Sequence, residues 1–140
     1  MIVYDQDDAA NVALCAWKEA RGDGQEAMRA VMHVIANRVG AIGFPADVHR
    51  VVFAKNQFTS MSVSSDPEFN LTPQDGDIQY AYCAMLVEYV LRGEDPDPTC
   101  GAHYYYNPRT VTSGWFTRVI VGDPEHHPHV ATIGKQEFYV

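Results

Sequence analysis

The sequence has few positively charged residues and no long apolar run, and both features exclude classes of function. Lysine and arginine number 10 against 18 aspartates and glutamates, so the formal net charge is −8. This balance argues against a nucleic-acid backbone or an anionic membrane as the main partner, because both are negatively charged. It does not exclude a sugar polymer. No stretch approaches the roughly 20 apolar residues of a transmembrane helix, so we expect no membrane insertion.

Cysteine is also scarce, and its placement argues against a disulfide framework. Cys15, Cys83 and Cys100 are odd in number and widely spaced. Cys15 and Cys83 fall on apolar helix faces, where we expect them to be buried as small hydrophobic side chains. Cys100 falls in a loop and is expected to be a free thiol. A nucleophilic role for Cys100, with His103 close by in sequence, is an alternative.

The amino-terminal segment, MIVYDQDDAANV, lacks the basic region and apolar run of a secretory signal peptide. We therefore expect the protein to be made in the cytoplasm and, if it acts outside, to be released by another factor. A chain of 140 residues, 46% of them hydrophobic, suits one domain over residues 1–140 with a real core.

Hydrophobic periodicity predicts three long helices, at residues 8–19, 25–39 and 73–92. Asp8 is a candidate N-cap for the first, and Thr72, followed by Pro73, for the third. Apolar residues of the second and third helices recur at helical spacing and predict buried stripes. The residues expected at the centre of the core are Val31, Ile35, Ile78, Met85 and Leu86.

Shorter segments complete the predicted architecture. Asp47 is expected to cap a short helix at residues 48–54, and residues 60–71 are rich in Ser, Asp and Pro, which indicates a loop. Residues 115–121 and 133–140 are predicted strands, the first because it is rich in β-branched side chains. The fold class is therefore α+β, mainly α, with a small β element in the C-terminal third.

Glu19 is the residue around which we organise the functional interpretation. It lies where the first helix ends in the turn Glu19-Ala20-Arg21-Gly22-Asp23. A carboxyl group at such a position can be partly buried and still face a cleft, where a general acid with a raised pKa could be placed. This role requires the Arg21 guanidinium to point away from Glu19. The alternative is a surface glutamate paired with Lys18 or Arg21.

No second acid identifies itself beside Glu19. Glycoside hydrolysis usually needs two carboxylates at a set separation. Asp23, Glu26, Asp66 and Glu68 are available, but Glu26 is better explained by the dipole at the start of the second helix. One carboxyl group suffices for a lytic transglycosylase, in which the sugar's own 6-hydroxyl attacks C1 and no water is added. Aromatic faces and amides such as Gln57 and Asn107 suit a sugar cleft.

Three histidines near the carboxyl terminus suggest a competing hypothesis. His126, His127 and His129 could bind zinc, as in a wall amidase or peptidase. Pro128 restricts the backbone between them, and no partner ligand with helical spacing is visible. We therefore expect a polar turn there, with no metal and no cofactor.

A series of short motifs, in order along the chain, resembles the SleB-type cell wall hydrolases. The resemblance begins with Glu19 to Asp23 and Ile35-Ala36-Asn37-Arg38-Val39. It continues through Phe44-Pro45 and Gln57-Phe58-Thr59. It closes with Ala102-His103-Tyr104-Tyr105, Asn107-Pro108, Trp115, Ile133-Gly134 and Phe138-Tyr139. No single motif is decisive, but their order over nearly the whole chain is fairly specific.

The resemblance implies a lysozyme-like, mainly helical fold acting on the glycan of peptidoglycan at the MurNAc–GlcNAc bond. The family's catalytic glutamate falls on Glu19. The substrate-binding candidates are Gln57, Phe58, Tyr104 and Tyr105, with His103, Asn107 and Trp115 as weaker ones. The chain departs from the family at Asp23, where a second glutamate is common, and at Ala27-Met28, where a Gly-Gln pair is common.

Within this family the chain looks like a monomeric, phage-encoded endolysin that is released through a membrane lesion made by another protein. A virion-associated lysin is a variant of the same interpretation. Two alternatives of other classes remain: a protein of the same fold that holds glycan without cutting it, and the zinc-dependent amidase or peptidase.

Overall fold

The structure is a computed structural model that describes residues 1–110 and 114–140. Its helices are α1 (Gln6–Ala20), α2 (Gln25–Arg38), α3 (Val48–Val52), α4 (Thr59–Ser62), α5 (Ile78–Leu91) and α6 (Gly114–Phe116). A 3₁₀ turn at Arg21–Asp23 follows α1, and a π-helical segment at Thr117–Val121 follows α6. The strands are β1 (Tyr104–Tyr106), β2 (His129–Ile133) and β3 (Gln136–Tyr139). The predicted mainly helical α+β fold is confirmed.

The core forms where α1, α2 and α5 pack against one another. The amphipathic stripe of α2 is buried as predicted, with Val31 and Ile35 only 1% and 0% exposed. Cys15 and Cys83 are buried between these helices as small hydrophobic side chains, also as predicted, whereas Cys100 is exposed. Burial raises the pKa of the Cys83 thiol to about 12, so this group is inert at neutral pH.

The first helix begins earlier than predicted, because Asp5 rather than Asp8 is its N-cap. The Asp8 backbone N–H donates to the Asp5 carboxylate at 2.8 Å, and the Asp5 N–H donates to the Asp8 carboxylate at 3.1 Å. These reciprocal bonds form a capping box in which Asp8 occupies the third helical position. Both aspartates are acceptable caps in sequence, and only the backbone geometry distinguishes them.

The start predicted for the third long helix is wrong, and its predicted buried face is correct only in part, since Leu86 packs against the core whereas Ile78 and Met85 do not. Gly76 adopts φ +84°, a left-handed conformation that interrupts any helix from Pro73, and Asp77 caps α5 instead. Ile78 and Met85, predicted in the core, are 78% and 63% exposed. The residues that α5 buries are Cys83, Val87, Val90 and Leu91. The helix is apolar on all sides, so its periodicity does not indicate which face turns inward.

The carboxyl-terminal third contains a three-stranded antiparallel sheet in the order β1-β3-β2. Phe138 at its centre is fully buried and pairs with Tyr105. The predicted strand at residues 115–121 is wrong, because Gly114–Val121 is helical and the Gly122 N–H donates to the Thr117 carbonyl at 2.8 Å. The described sheet, in the order β1-β3-β2, includes none of these residues, and β propensity alone is too dependent on context to make them a strand.

The predicted loop at residues 60–71 begins as helix α4 and continues in turns against the end of α1. Among the described residues, no helix has both the length and the apolar character that a bilayer crossing requires.

Candidate active site

Glu19 lies in the last turn of α1 and is held by hydroxyl groups from two distant parts of the chain. The Ser60 hydroxyl donates to its Oε2 at 2.7 Å, and the Tyr105 hydroxyl donates to its Oε1 at 3.2 Å. Both oxygens of the carboxyl group are therefore oriented by short-range contacts. Such an arrangement holds the group in one position, which a proton-transfer residue requires.

Burial raises the pKa of Glu19 above its ordinary value. The hydrogen bonds from Ser60 and Tyr105 oppose this shift because they stabilise the carboxylate, whereas the negative charges of Asp66 and Glu68 reinforce it. Desolvation is the largest of these effects, so the carboxyl group holds a proton to higher pH than an exposed glutamate does. This is the direction that a general acid requires.

Lys18 in α1 and Arg21 in the turn after it fix the segment that carries Ser60. The buried Lys18 ammonium donates to the carbonyl oxygens of Ser60 at 3.2 Å and Phe69 at 2.8 Å. Arg21 pairs with the Glu68 carboxylate and stacks on the Trp17 ring, with its guanidinium carbon 4.1 Å from the ring centroid. The prediction that Arg21 turns away from Glu19 is thus confirmed. Neither cation neutralises the candidate acid.

Tyr105 reaches Glu19 from strand β1, where its ring is held by the sheet. Its ring stacks on Phe138 of β3 with centroids 5.6 Å apart, and the two residues are paired in register. Burial raises the pKa of Tyr105 well above its usual range, so its hydroxyl is a neutral donor at physiological pH. The sheet therefore positions a hydrogen-bond donor rather than a charge beside the acid.

Glu19 opens onto a cleft of about 470 Å³ that contains most of the predicted site residues. Gln57, Phe58, Tyr104, Tyr105, Asn107 and Trp115 all line it. Trp115 is 55% exposed at the edge, whereas Phe58 is 2% exposed, so Phe58 supports the wall more than it offers surface to a ligand. Within the described parts of the chain, Glu19 is the only carboxylic acid that lines the cleft.

His103 is the one predicted binding residue that does not line the cleft. Its ring packs against Phe44 with centroids 5.5 Å apart, and burial lowers its pKa. Its carbonyl oxygen accepts a hydrogen bond of 2.7 Å from Arg38 Nε. His103 therefore supports the wall behind β1, and its sequence position next to Tyr104 does not bring its side chain to the site.

Asp23, one of the candidates for a second acid, connects the turn after Glu19 to the β2–β3 hairpin. Its carboxylate accepts a hydrogen bond of 2.8 Å from the Lys135 backbone N–H. Gly134 lies so close that a Cβ there would be 2.3 Å from Asp23 Oδ2. Asp23 does not line the cleft. Its contacts are structural: they hold the hairpin that leads into Gln136, a cleft residue.

The three histidines of the zinc hypothesis turn to different partners. His126 Nδ1 lies 3.0 Å from Asp123, His127 Nδ1 lies 2.8 Å from the Val140 carbonyl oxygen, and His129 Nε2 lies 2.9 Å from Glu137. Over residues 1–110 and 114–140, no three His, Cys, Asp or Glu side chains are grouped to hold a metal ion. The segment is a polar turn with local pairs.

Sequence reasoning missed several residues of the site. They are Arg38, Ser60, Tyr106, Phe116 and Gln136, which line the cleft or, in the case of Ser60, bind Glu19. Arg38 belongs to the α2 motif, but nothing in that motif indicates that its side chain reaches the cleft floor. The partners Ser60 and Tyr105 are 41 and 86 residues from Glu19, so no local pattern connects them.

We expect Tyr105→Phe to move the alkaline limb of the pH–activity profile to higher pH. The substitution keeps the ring on Phe138 but removes a hydrogen bond that lowers the pKa of Glu19. The peak rate should fall on the order of tenfold, because one orienting hydrogen bond contributes about 1 kcal/mol. Wall clearing measured across pH tests this.

Tyr106→Phe is the control, because Tyr106 lies on the same strand but has no hydrogen bond to Glu19. It should leave the alkaline limb of the pH–activity profile in place. An unmoved limb in Tyr105→Phe would contradict the assignment of Tyr105.

Comparisons with known proteins place this geometry in a family. The family model described as Cell Wall Hydrolase matches residues 22–139, a range that begins just after Glu19. Spore cortex-lytic enzymes of Halalkalibacterium halodurans and Oceanobacillus iheyensis are 33% and 35% identical over 96% of this chain. The chain spans only 35% and 42% of the length of those two proteins.

A solved structure extends the similarity through the whole fold, including the end of α1. The catalytic domain of the germination-specific lytic transglycosylase SleB from Bacillus anthracis superposes with a TM-score of 0.74 at 32% identity. The match covers 98% of this chain and 97% of that domain. With a family model over most of its length and a solved relative over nearly all of it, this chain belongs to the Cell Wall Hydrolase family.

Proposed function

We infer that the protein cleaves the glycan strand of peptidoglycan as a lytic transglycosylase. The observation that carries this proposal is a half-buried Glu19 with a raised pKa, oriented by Ser60 and Tyr105 and lining an aromatic cleft. The relative from Bacillus anthracis is named as a lytic transglycosylase, which supports the same chemistry. The bond attacked would be that between MurNAc and GlcNAc.

The mechanism uses one carboxyl group twice. Protonated Glu19 gives its proton to the glycosidic oxygen as the bond from that oxygen to C1 breaks. The resulting Glu19 carboxylate then accepts the proton of the same sugar's 6-hydroxyl while that oxygen attacks C1. The product is a 1,6-anhydro sugar, and Glu19 ends protonated. Glu19 being the sole acid lining the described cleft supports this route over hydrolysis with a second carboxylate.

The aromatic wall supplies the binding part of the proposal. The cleft is lined by four aromatic side chains that can pack against pyranose rings: Tyr104, Tyr106, Phe116 and Trp115. Gln57, Asn107 and Gln136 add amides among them. Apolar faces with a few placed polar groups are what an oligosaccharide requires.

Mass spectrometry of muropeptides from digested sacculi tests the reaction. Anhydro ends are expected. Reducing ends would instead mean a muramidase, freed peptides would mean an amidase or peptidase, and no release would mean a binding protein without catalysis.

Activity should survive EDTA, because the proposed acid–base chemistry at Glu19 uses no ion. We expect equal rates of sacculus clearing with and without the chelator. Loss of activity with rescue by zinc would move the assignment to His126, His127 and His129.

For the biological setting, we propose a monomeric phage endolysin that stays in the host cytoplasm until another protein opens the membrane. The named relatives have a different setting, since they are spore cortex-lytic enzymes. Expression in a bacterial host should cause lysis only when the membrane is permeabilised. Lysis without permeabilisation would contradict the setting, and sedimentation velocity would test the monomer.

A further inference from the structure

Gln57 is held in one orientation by a buried arginine. Arg38 is 5% exposed and lines the cleft floor, where its Nη1 donates to Gln57 Oε1 at 3.1 Å. Its Nε donates to the His103 carbonyl oxygen, and its guanidinium carbon lies 5.3 Å from the ring centroids of both Phe44 and Phe58. The arginine is thus fixed on its edges and on its faces.

The chemistry of arginine determines which end of the Gln57 amide enters the cleft. A guanidinium carries only donors, so the amide group facing it must be the carbonyl oxygen. The reverse orientation would place N–H against N–H beside a positive charge. The amide nitrogen of Gln57 therefore turns away from Arg38, and Gln57 is an exposed residue of the cleft wall. Among the described residues no acceptor binds that nitrogen, so its two N–H donors are available to a ligand in the cleft.

Arg38 also places a positive charge directly behind Gln57. None of the described carboxylates lies within salt-bridge distance of its guanidinium. Among the described residues, its direct contacts are the side-chain oxygen of Gln57, the carbonyl oxygen of His103 and aromatic rings. Such a charge acts on ligand groups that bind next to Gln57. A ligand group there meets two donors and a cation behind them.

A ligand group that binds next to Gln57 is favoured if it is an uncharged carbonyl oxygen and disfavoured if it is an ammonium group. We propose that Gln57, oriented by Arg38, selects the 2-acetamido group of the bound sugar and rejects sugars whose amino group is free. The acetamido carbonyl accepts from Gln57. A free ammonium offers no acceptor and is repelled by Arg38, so selectivity comes from both attraction and repulsion. This inference rests on the proposed function, because it assumes that an amino-sugar polymer occupies the cleft.

Binding measured on matched polymers tests the selectivity without requiring turnover. The probes are N-acetylated sacculi, the same sacculi after enzymatic de-N-acetylation, and that material re-acetylated with acetic anhydride. In the Glu19→Gln background, pelleting should show affinity for acetylated sacculi on the order of 10- to 100-fold higher, the effect of leaving polar groups unpaired. Re-acetylation should restore binding, and equal affinity for all three polymers would overturn the proposal.

Variants at position 57 separate the hydrogen bond from the shape of the side chain. Gln57→Met keeps the length but removes the donors, so the ratio of affinities should fall toward one. Gln57→Glu places a carboxylate against Arg38 and should reverse the preference toward the free amine. Circular dichroism checks that both variants fold. A wild-type ratio in the folded Met variant would overturn the role of Gln57.

Gln136→Glu is the matched control, because it adds the same negative charge to the cleft at an amide that Arg38 does not hold. Whatever it does to overall affinity, the ratio should stay at the wild-type value. A reversed ratio in this variant would attribute the effect to charge alone and overturn the assignment to Gln57. If the wild type cuts none of the polymers, the proposed function fails while the binding ratios still decide this inference.

Discussion

Glu19→Gln should reduce peptidoglycan cleavage by a factor on the order of 10²–10⁴, the scale of a lost acid–base group. The amide keeps the shape of the side chain and can still accept a hydrogen bond from Ser60 or Tyr105, but it has no proton to transfer. An ordinary glutamate titrates near ~4.3 and would be almost fully ionised at neutral pH. Burial raises the pKa of Glu19, which is why it can be protonated where an exposed carboxylate is not.

The pH dependence of the wild-type enzyme follows from the raised pKa of Glu19. The acid form is the active one, so activity should fall as pH rises through the raised pKa of Glu19. Release of soluble muropeptides from sacculi measures the loss in Glu19→Gln. The variant should retain the circular dichroism of the wild type and still pellet with sacculi, because only the proton is removed.

Glu26→Gln is the matched control for this prediction. Glu26 lies in the first turn of α2, its side chain is 65% exposed, and it pairs with Arg29 at 3.1 Å. Neutralising it should leave cleavage nearly intact. If Glu19→Gln cut at the wild-type rate while Asp23→Asn or Glu26→Gln did not, the wrong carboxylate would have been chosen.

Ile35→Ala should lower the free energy of unfolding by about 2–5 kcal/mol. Ile35 is 0% exposed on the stripe of α2 that faces α1 and α5. Its truncation removes buried methyl and methylene groups and leaves a cavity that close-packed neighbours fill only partly. Because domains are stable by only about 5–15 kcal/mol, this is a large fraction of the total. Urea unfolding followed by circular dichroism measures the change.

Met85→Ala is the comparison that tests the observed packing of α5. The sequence pattern placed Met85 in the core, but its side chain is 63% exposed, so we expect a change within about 0.5 kcal/mol. Equal losses in the two variants would support the predicted stripe and contradict the observed one. A loss below about 0.5 kcal/mol for Ile35→Ala would show that the face of α2 was misassigned.

The sequence alone determined the features that depend on local patterns. The apolar period of α2 identified the helix and one of its buried sides, including Val31 and Ile35. It did not identify the second buried side, where Ala30 and Val34 cluster with Phe138 of the sheet. The placement of Glu19 at a helix end followed from the glycine-rich turn after it. Six of the seven predicted binding residues line the cleft with Glu19, since the ordered motifs carried their positions. Their roles stay predictions.

Tertiary structure decided the features for which the local patterns allow more than one outcome. Helix α5 is apolar all round, and only its packing against α1 and α2 selects Cys83 and Val87 for burial over Ile78 and Met85. The β-branched run at Thr117–Val121 is helical and takes no part in the described sheet, because tertiary context overrides β propensity. The environment of Glu19 depends on Ser60 and Tyr105, which lie 41 and 86 residues away. Long-range contacts of this kind set the pKa of the candidate acid, because desolvation exists only once the chain has closed around it.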